Sequence, residues 1–218
     1  MPPALDGTPV AAFDFDGTLS RRDTFLPFLQ RVCGAQRLYR ALARSGPALS
    51  RMAVGRADRD AVKDALLVRL LAGHPAEQLA EQGVAYAEFL RSSDRLRPDT
   101  VARARDHVDR GHQVVVVSAS PSLYLEPLAR DLGFEAALAT RLEVDEAGCI
   151  TGRMLGGNCR GPEKVARLEA WLAGRAPRLY AYGNSSGDRE LLARADVGVM
   201  VRPRTVLPPL EDDSHSGS

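Results

Sequence analysis

The chain has 218 residues, 44% of them hydrophobic, and a formal net charge of +1, which suits one large domain or a domain carrying an insertion and gives no support to a nucleic-acid partner. Its three cysteines, Cys33, Cys149 and Cys159, are odd in number and widely spaced, which argues against a disulfide framework and for a reducing, cytoplasmic setting. No apolar run approaches the length that spans a bilayer, and the N-terminus carries no leader-peptide pattern.

The first element in chain order is Val10-Ala11-Ala12-Phe13-Asp14-Phe15-Asp16-Gly17-Thr18-Leu19. Its apolar part reads as a buried parallel strand, and it ends in two carboxylates, a glycine and a hydroxyl. Regular alternation would set Asp14 and Asp16 on one side of the strand, at the end where open α/β sheets place their ligands. Two like charges this close are costly without a cation between them, so the pair points to a hard metal with oxygen ligands such as Mg²⁺. A plain strand end with an Asp-Gly turn is the alternative.

From Leu19 to about Leu96 the period becomes helical: Phe25, Phe28, Leu29 and Val32, then Leu38, Leu42 and Leu49, then Val62, Leu66, Leu67, Leu70 and Leu71. Gly73-His74-Pro75 breaks the pattern before Leu79, Val84, Tyr86 and Leu90 resume it. This stretch reads as a small helical bundle over the strand ends. Beyond Pro98 the predicted elements are a helix over 100–110 stopped by Gly111, a strand over 113–117 ending at Ser118, and a helix over 122–132. A short strand near 136–140 and a hairpin over 142–154 turning at Gly148 follow. A helix from Glu163 to Leu172, strand 179–182, helix 189–193 and strand 197–201 complete a parallel sheet with right-handed crossovers. The tail over 208–218 is acidic and poor in apolar residues, and reads as disordered.

Four segments carry the chemistry in order: Asp14 to Thr18, the strand ending at Ser118, Lys164 at a helix start, and Gly183-Asn184-Ser185-Ser186-Gly187-Asp188. Together they resemble the four motifs of the haloacid dehalogenase (HAD) superfamily of aspartate-nucleophile phosphatases, most closely the phosphoserine phosphatase-like subfamily IB. The resemblance implies an α/β fold, a HAD-like Rossmannoid parallel sheet core formed by residues 1–19 and 97–207. A helical-bundle (C1-type) cap over 20–96 would close on the substrate. It further implies an Mg²⁺-dependent phosphoric monoester hydrolase working through an aspartyl-phosphate.

The chemistry of the residues gives the same roles. Phosphoryl transfer needs an in-line nucleophile, charge neutralisation and a proton for the leaving group. Asp14 is the candidate nucleophile, and Asp16 the acid that protonates the leaving alkoxide and then activates water. Thr18 and Ser118 offer hydroxyls, and the amides of Ala119 and Ser120 add donors for phosphate near a helix start. Lys164 neutralises phosphate and restrains Asp14. Asp14, the Asp16 carbonyl, Asn184 and Asp188 are the candidate metal ligands, with Asp188 acting directly or through water.

One position departs from the pattern: the family usually has Asp where Asn184 stands. An amide oxygen can ligate Mg²⁺ but brings no charge, so a catalytically impaired phosphate-binding protein is the alternative to an active phosphatase. The substrate expected is a small phosphorylated metabolite, a sugar, amino-acid or lipid-head phosphate. Asp23 is placed to meet a cationic head, Arg160 and Asn158 to reach the ester, and of the cap cations only Lys63 and Arg69 lie near where a carboxylate would be held. The arginines over 37–59 read either as a basic amphipathic surface for an anionic membrane, a peripheral contact, or as a solvated helix face. No Gly-x-Gly-x-x-Gly follows the first strand, so dinucleotide binding is disfavoured.

Overall fold

A computed structural model describes residues 7–44, 59–203 and 206–210. Six strands, β1 (Val10–Phe13), β2 (Gln113–Pro121), β3 (Ala136–Val144), β4 (Ile150–Leu155), β5 (Leu179–Gly183) and β6 (Val197–Met200), form one sheet in the order β4-β3-β2-β1-β5-β6. Every neighbouring pair is parallel except β3 with β4. Phe13 is in register with Val116 on one side and Tyr182 on the other. The ends of β1, β2 and β5 therefore lie side by side, and with them Asp14, Ser118 and Asn184.

The helices are α1 (Phe25–Cys33), α2 (Ala35–Arg44), α3 (Arg59–Leu71), α4 (Ala76–Ser92), α5 (Pro98–Asp109), α6 (Ser122–Asp131), α7 (Pro162–Leu172) and α8 (Arg189–Arg194). Alternation along β1 sorts its side chains onto two faces. Val10 and Ala12 join Val115, Val117 and Ala181 against Leu168 and Leu172 of α7 and Leu191 of α8. Ala11 and Phe13 join Val114, Val116, Tyr180 and Tyr182 in a larger cluster that takes in apolar residues of α1 to α6. The inserted helices thus share a core with one sheet face, each buried Leu or Phe contributing about 1.5–3 kcal/mol.

The chain leaves the sheet at Ser20 and returns at Leu96, two residues joined by an antiparallel bridge. Arg21 N donates to Arg95 O and Arg97 N to Leu19 O, both at 2.8 Å. Two glycines let the helices come close. A Cβ on Gly83 of α4 would lie 2.2 Å from the Leu123 carbonyl oxygen of α6, and one on Gly152 of β4 would lie 2.4 Å from Val68 Cα of α3.

The structure corrects four details. The strand expected to end at Ser118 continues as β2 to Pro121, which still pairs with Thr140. The expected short strand near 136–140 and the first hairpin arm are one strand, β3, whose first half pairs in parallel with β2 and whose second half pairs antiparallel with β4. The buried Thr140 stands where it changes partner. Val84 keeps helical spacing yet is 54% exposed. Leu207 and Leu210, the latter within the expected disordered tail, pack partly buried on the core. Leu49, Arg51, Arg56 and residues 211–218 lie outside the described residues.

Candidate active site

β1 stops at Phe13, and the chain coils at once into a tight turn over Phe15–Leu19 in which Gly17 takes φ 82°. The regular alternation that would have set both acids on one side therefore ends before Asp16. Space also requires Gly17, because a Cβ there would lie 1.9 Å from Asn184 Nδ2.

Asp14 is buried, and its two oxygens are separately engaged. Oδ1 accepts from Lys164 Nζ at 2.6 Å, and Oδ2 from the Thr18 hydroxyl at 3.1 Å. Lys164, the third residue of α7, also donates to Asp188 Oδ1 at 2.5 Å. The other Asp188 oxygen accepts from Asn184 N, Ser185 N and Ser185 Oγ at 3.1, 2.9 and 2.8 Å. Asp188 thus ties Lys164 to the loop, with both of its oxygens engaged. Burial pushes the Asp14 carboxyl above its usual range, with the Lys164 charge opposing and the Asp188 charge adding. Burial also works against the charges of Asp188 and Lys164, but it is outweighed at Lys164 by the attraction of Asp14 and then Asp188, at Asp188 by that of Lys164, and by the hydrogen bonds at both. Asp188 is held below its ordinary value and Lys164 above.

Asp16 faces other partners. Oδ1 accepts from Thr24 N and Thr24 Oγ1 at 2.8 and 2.7 Å, and Oδ2 from Ser120 Oγ at 2.5 Å. Burial pushes its carboxyl up to about 7, and the nearby Asp23 charge adds to this against the pull of the Ser120 and Thr24 hydrogen bonds. Thr24 Oγ1 also meets Tyr124 Oη at 3.0 Å, and Tyr86 Oη donates to the Thr24 carbonyl at 3.0 Å. Thr24 and Tyr124 carried no signal in the sequence. Ser120 did, as a second hydroxyl two residues after Ser118, although its amide was the group expected to act.

That amide is taken: Ser120 N donates to the buried Ser118 Oγ at 3.1 Å. The Ala119 carbonyl accepts from Lys63 Nζ of α3. Lys63 also donates to Asn158 Oδ1 at 2.6 Å and reaches Thr140 Oγ1 at 3.5 Å, and Asn158 Nδ2 donates to Asp60 Oδ1 at 2.6 Å. An ammonium has three protons, and these three acceptors use them, so Lys63 pins the inserted helices to the end of β2, the middle of β3 and the Asn158 loop. Burial pulls Lys63 from 10.5 to about 8, against the attraction of Asp60. Lys63 and Lys164 are the only lysines in the chain, the other 27 of its 29 basic residues being arginine. A compact ammonium fits a small cage of oxygens where a planar guanidinium does not, and that scarcity was the available signal for Lys63.

The remaining expected residues lie at the rim. Asp23 is exposed and accepts from Leu26 N at 3.1 Å, capping the start of α1. Arg160 leans on the 183–188 loop, its guanidinium 3.4 Å from Ser186 Oγ. Among the described residues no three His, Cys, Asp or Glu side chains group as a metal cluster. Two observations nevertheless suit a cation. Asp14, Asp188 and Lys164 bury two carboxyl groups against one ammonium, and Asn184 Oδ1, an acceptor-only oxygen, is buried without a hydrogen-bond partner.

Compared with known proteins, residues 11–193 match the family model described as haloacid dehalogenase-like hydrolase. Protein CicA of Caulobacter vibrioides (strain NA1000 / CB15N) is 40% identical over 187 residues, spanning 86% of this chain and 83% of that protein. Phosphoserine phosphatase of Archaeoglobus fulgidus is 32% identical over 152 residues, 68% of this chain and 42% of that protein. The crystal structure of a protein with unknown function from Bordetella pertussis Tohama I aligns with a TM-score of 0.72 at 30% identity, covering 85% of this chain and 86% of that one.

Proposed function

The chain belongs to the haloacid dehalogenase-like hydrolase family, and from that premise we propose that it is a phosphatase hydrolysing a small phosphate monoester through a phosphorylated Asp14. The observation that carries this reading is the buried Asp14 carboxylate, held by Lys164 and Thr18, with Asp16 two residues on, its carboxyl pushed up to about 7 by burial. The name of the Archaeoglobus relative supports a phosphate monoester as substrate class.

In the first step an Asp14 oxygen attacks phosphorus as the bond to the leaving oxygen breaks, and the Asp16 carboxyl donates its proton to that oxygen. In the second step the Asp16 carboxylate takes a proton from water, whose oxygen displaces Asp14 and releases inorganic phosphate. Lys164 balances charge on the transferring oxygens and fixes the Asp14 rotamer. Ser118 hydrogen-bonds a phosphate oxygen, joined by the Ala119 amide. Mg²⁺ would be held by the Asp14 carboxylate, the Asp16 carbonyl and the Asn184 amide oxygen, with Asp188 behind them, and would neutralise phosphate charge as a Lewis acid.

Helices α1 to α4 would act as the cap, with Asp23 and Arg160 at the substrate rim and residues 1–19 and 97–207 as the core. A cytoplasmic setting and a metabolite substrate complete the reading. No helix among the described residues is long and apolar enough to cross a membrane.

The neutral Asn184 favours one second reading, a phosphate-binding protein with impaired turnover. Release of p-nitrophenol from p-nitrophenyl phosphate, with Mg²⁺ and with chelator, separates the two. Mg²⁺-dependent turnover that Asp14→Asn abolishes while phosphate binding persists is the expected result. Turnover unchanged in Asp14→Asn overturns the mechanism, and no turnover under either condition favours the second reading.

A further inference from the structure

Outside the site, one region concentrates charge of a single sign. Between Asp23 and Asp58 the chain has no acidic residue and six arginines, in a protein whose total is +1. Arg37, Arg40 and Arg44 project from α2 at helical spacing and all are exposed. With Arg69 of α3 they line a cleft of about 250 Å³ whose other walls are Ala41 and Leu70. Arg69 is laid against α2 by a hydrogen bond from Nη1 to the Ala41 carbonyl at 3.3 Å.

This arrangement costs stability on two counts. Like charges three or four residues apart on a helix destabilise it by about 0.2–0.5 kcal/mol per pair, and Arg37 stands in the first turn of α2, where the helix dipole disfavours a cation. Several arginines elsewhere are answered by acids: Arg21 by Asp94, Arg97 by Asp99, Arg141 by Glu126, Arg167 by Glu163 and Arg194 by Glu169. Among the described residues no ion pair involves Arg37, Arg40 or Arg44. Guanidinium forks match phosphate oxygens in pairs, and an anion seated here would relieve the repulsion. The cleft is smaller than the roughly 300–1,000 Å³ usual for drug-sized ligands, so it suits a compact, multiply charged group.

We propose that the cleft between α2 and α3 is a second anion site, one that takes a ligand carrying clustered phosphate charge, either a free di- or polyphosphate or a phosphate headgroup. It is separate from Asp14, and its test reads binding and not turnover. Full-length protein in chelator is titrated with inorganic pyrophosphate by calorimetry at low and high salt. In parallel it is sedimented with vesicles of equal parts phosphatidylglycerol and phosphatidylcholine, and with phosphatidylcholine alone. The expected result is salt-sensitive binding that weakens at least tenfold in the Arg37→Gln/Arg40→Gln/Arg44→Gln variant and survives in Ser118→Ala. Loss in the pyrophosphate arm identifies a soluble ligand, and loss confined to the phosphatidylglycerol vesicles identifies a headgroup. A triple Arg→Lys variant keeps the charge without the fork, and intermediate affinity there ties the effect to the cleft. Equal binding of both probes by the wild type and the glutamine variant, with both folded by circular dichroism, overturns the proposal.

Discussion

Near the start of α3 the Lys63 ammonium is enclosed by Asn158, Thr140 and the Ala119 carbonyl, whereas six residues further along the same helix Arg69 joins Arg37, Arg40 and Arg44 around an open cleft. Lys164 repeats the first arrangement more strictly, being 2% exposed between two carboxylates. A buried cation is tolerated only when its partners are already in place, since desolvation costs several kcal/mol per ion. Cations left at the surface cost little, because water and salt screen them. The enclosed lysines therefore fix geometry, whereas Arg37, Arg40 and Arg44, in no ion pair among the described residues, face the cleft.

Removing a cation from each region is the strongest way to break this contrast. Lys164→Met should destabilise the protein by about 3–5 kcal/mol, because Asp14 and Asp188 are left as uncompensated buried charges. Urea unfolding measures it, and a loss below about 1 kcal/mol would mean that the two carboxylates are not ionised together.

Adding an anion at the site tests the same balance from the other side. Asn184→Asp should tighten Mg²⁺ binding about tenfold, or 1.4 kcal/mol, read by calorimetry on the protein without substrate. Unchanged affinity would remove Asn184 from the ligand set.

The third test uses pH. Lys63 binds its proton below about 8 in the folded chain and below 10.5 when unfolded. Between those values the unfolded chain carries more protons, so this group makes stability rise with pH, and the contribution is lost as pH falls to 8. The difference in unfolding free energy between wild type and Lys63→Met should therefore grow in favour of the wild type between pH 8 and 10. A flat difference would show Lys63 to be solvated.

The smallest effect belongs to the exposed side. Arg40→Gln removes the like-charge pairs with Arg37 and Arg44 and should stabilise the protein by a few tenths of a kcal/mol, up to about 1. A clear loss of stability in thermal melts would mean that Arg40 has a structural partner.

Much of the fold could be read locally. The apolar runs before Asp14, Ser118 and Asn184 declare buried parallel strands, and the polar residue just past the run marks the strand end at Asp14 and Asn184, whereas β2 runs on past Ser118 to Pro121. Lys164 was legible for a similar reason, lying just after Gly161-Pro162, a helix-start signal. The path of β3 was not. Nothing near Thr140 says that the strand should change partner there, because the neighbours it pairs with are set by the rest of the sheet.

By itself the sequence determined where β1 and β5 end, the helical insertion and the identity of the nucleophile candidate, because each rests on periodicity or spacing within about ten residues. Only the tertiary structure decided what those groups touch. Asp16 is held by Ser120, 104 positions away, and Lys63 by Asn158, 95 positions away. Such pairs depend on how α3 crosses β4 at Gly152 and how α4 crosses α6 at Gly83. Those crossings are set by packing summed over the whole core, which no local window contains.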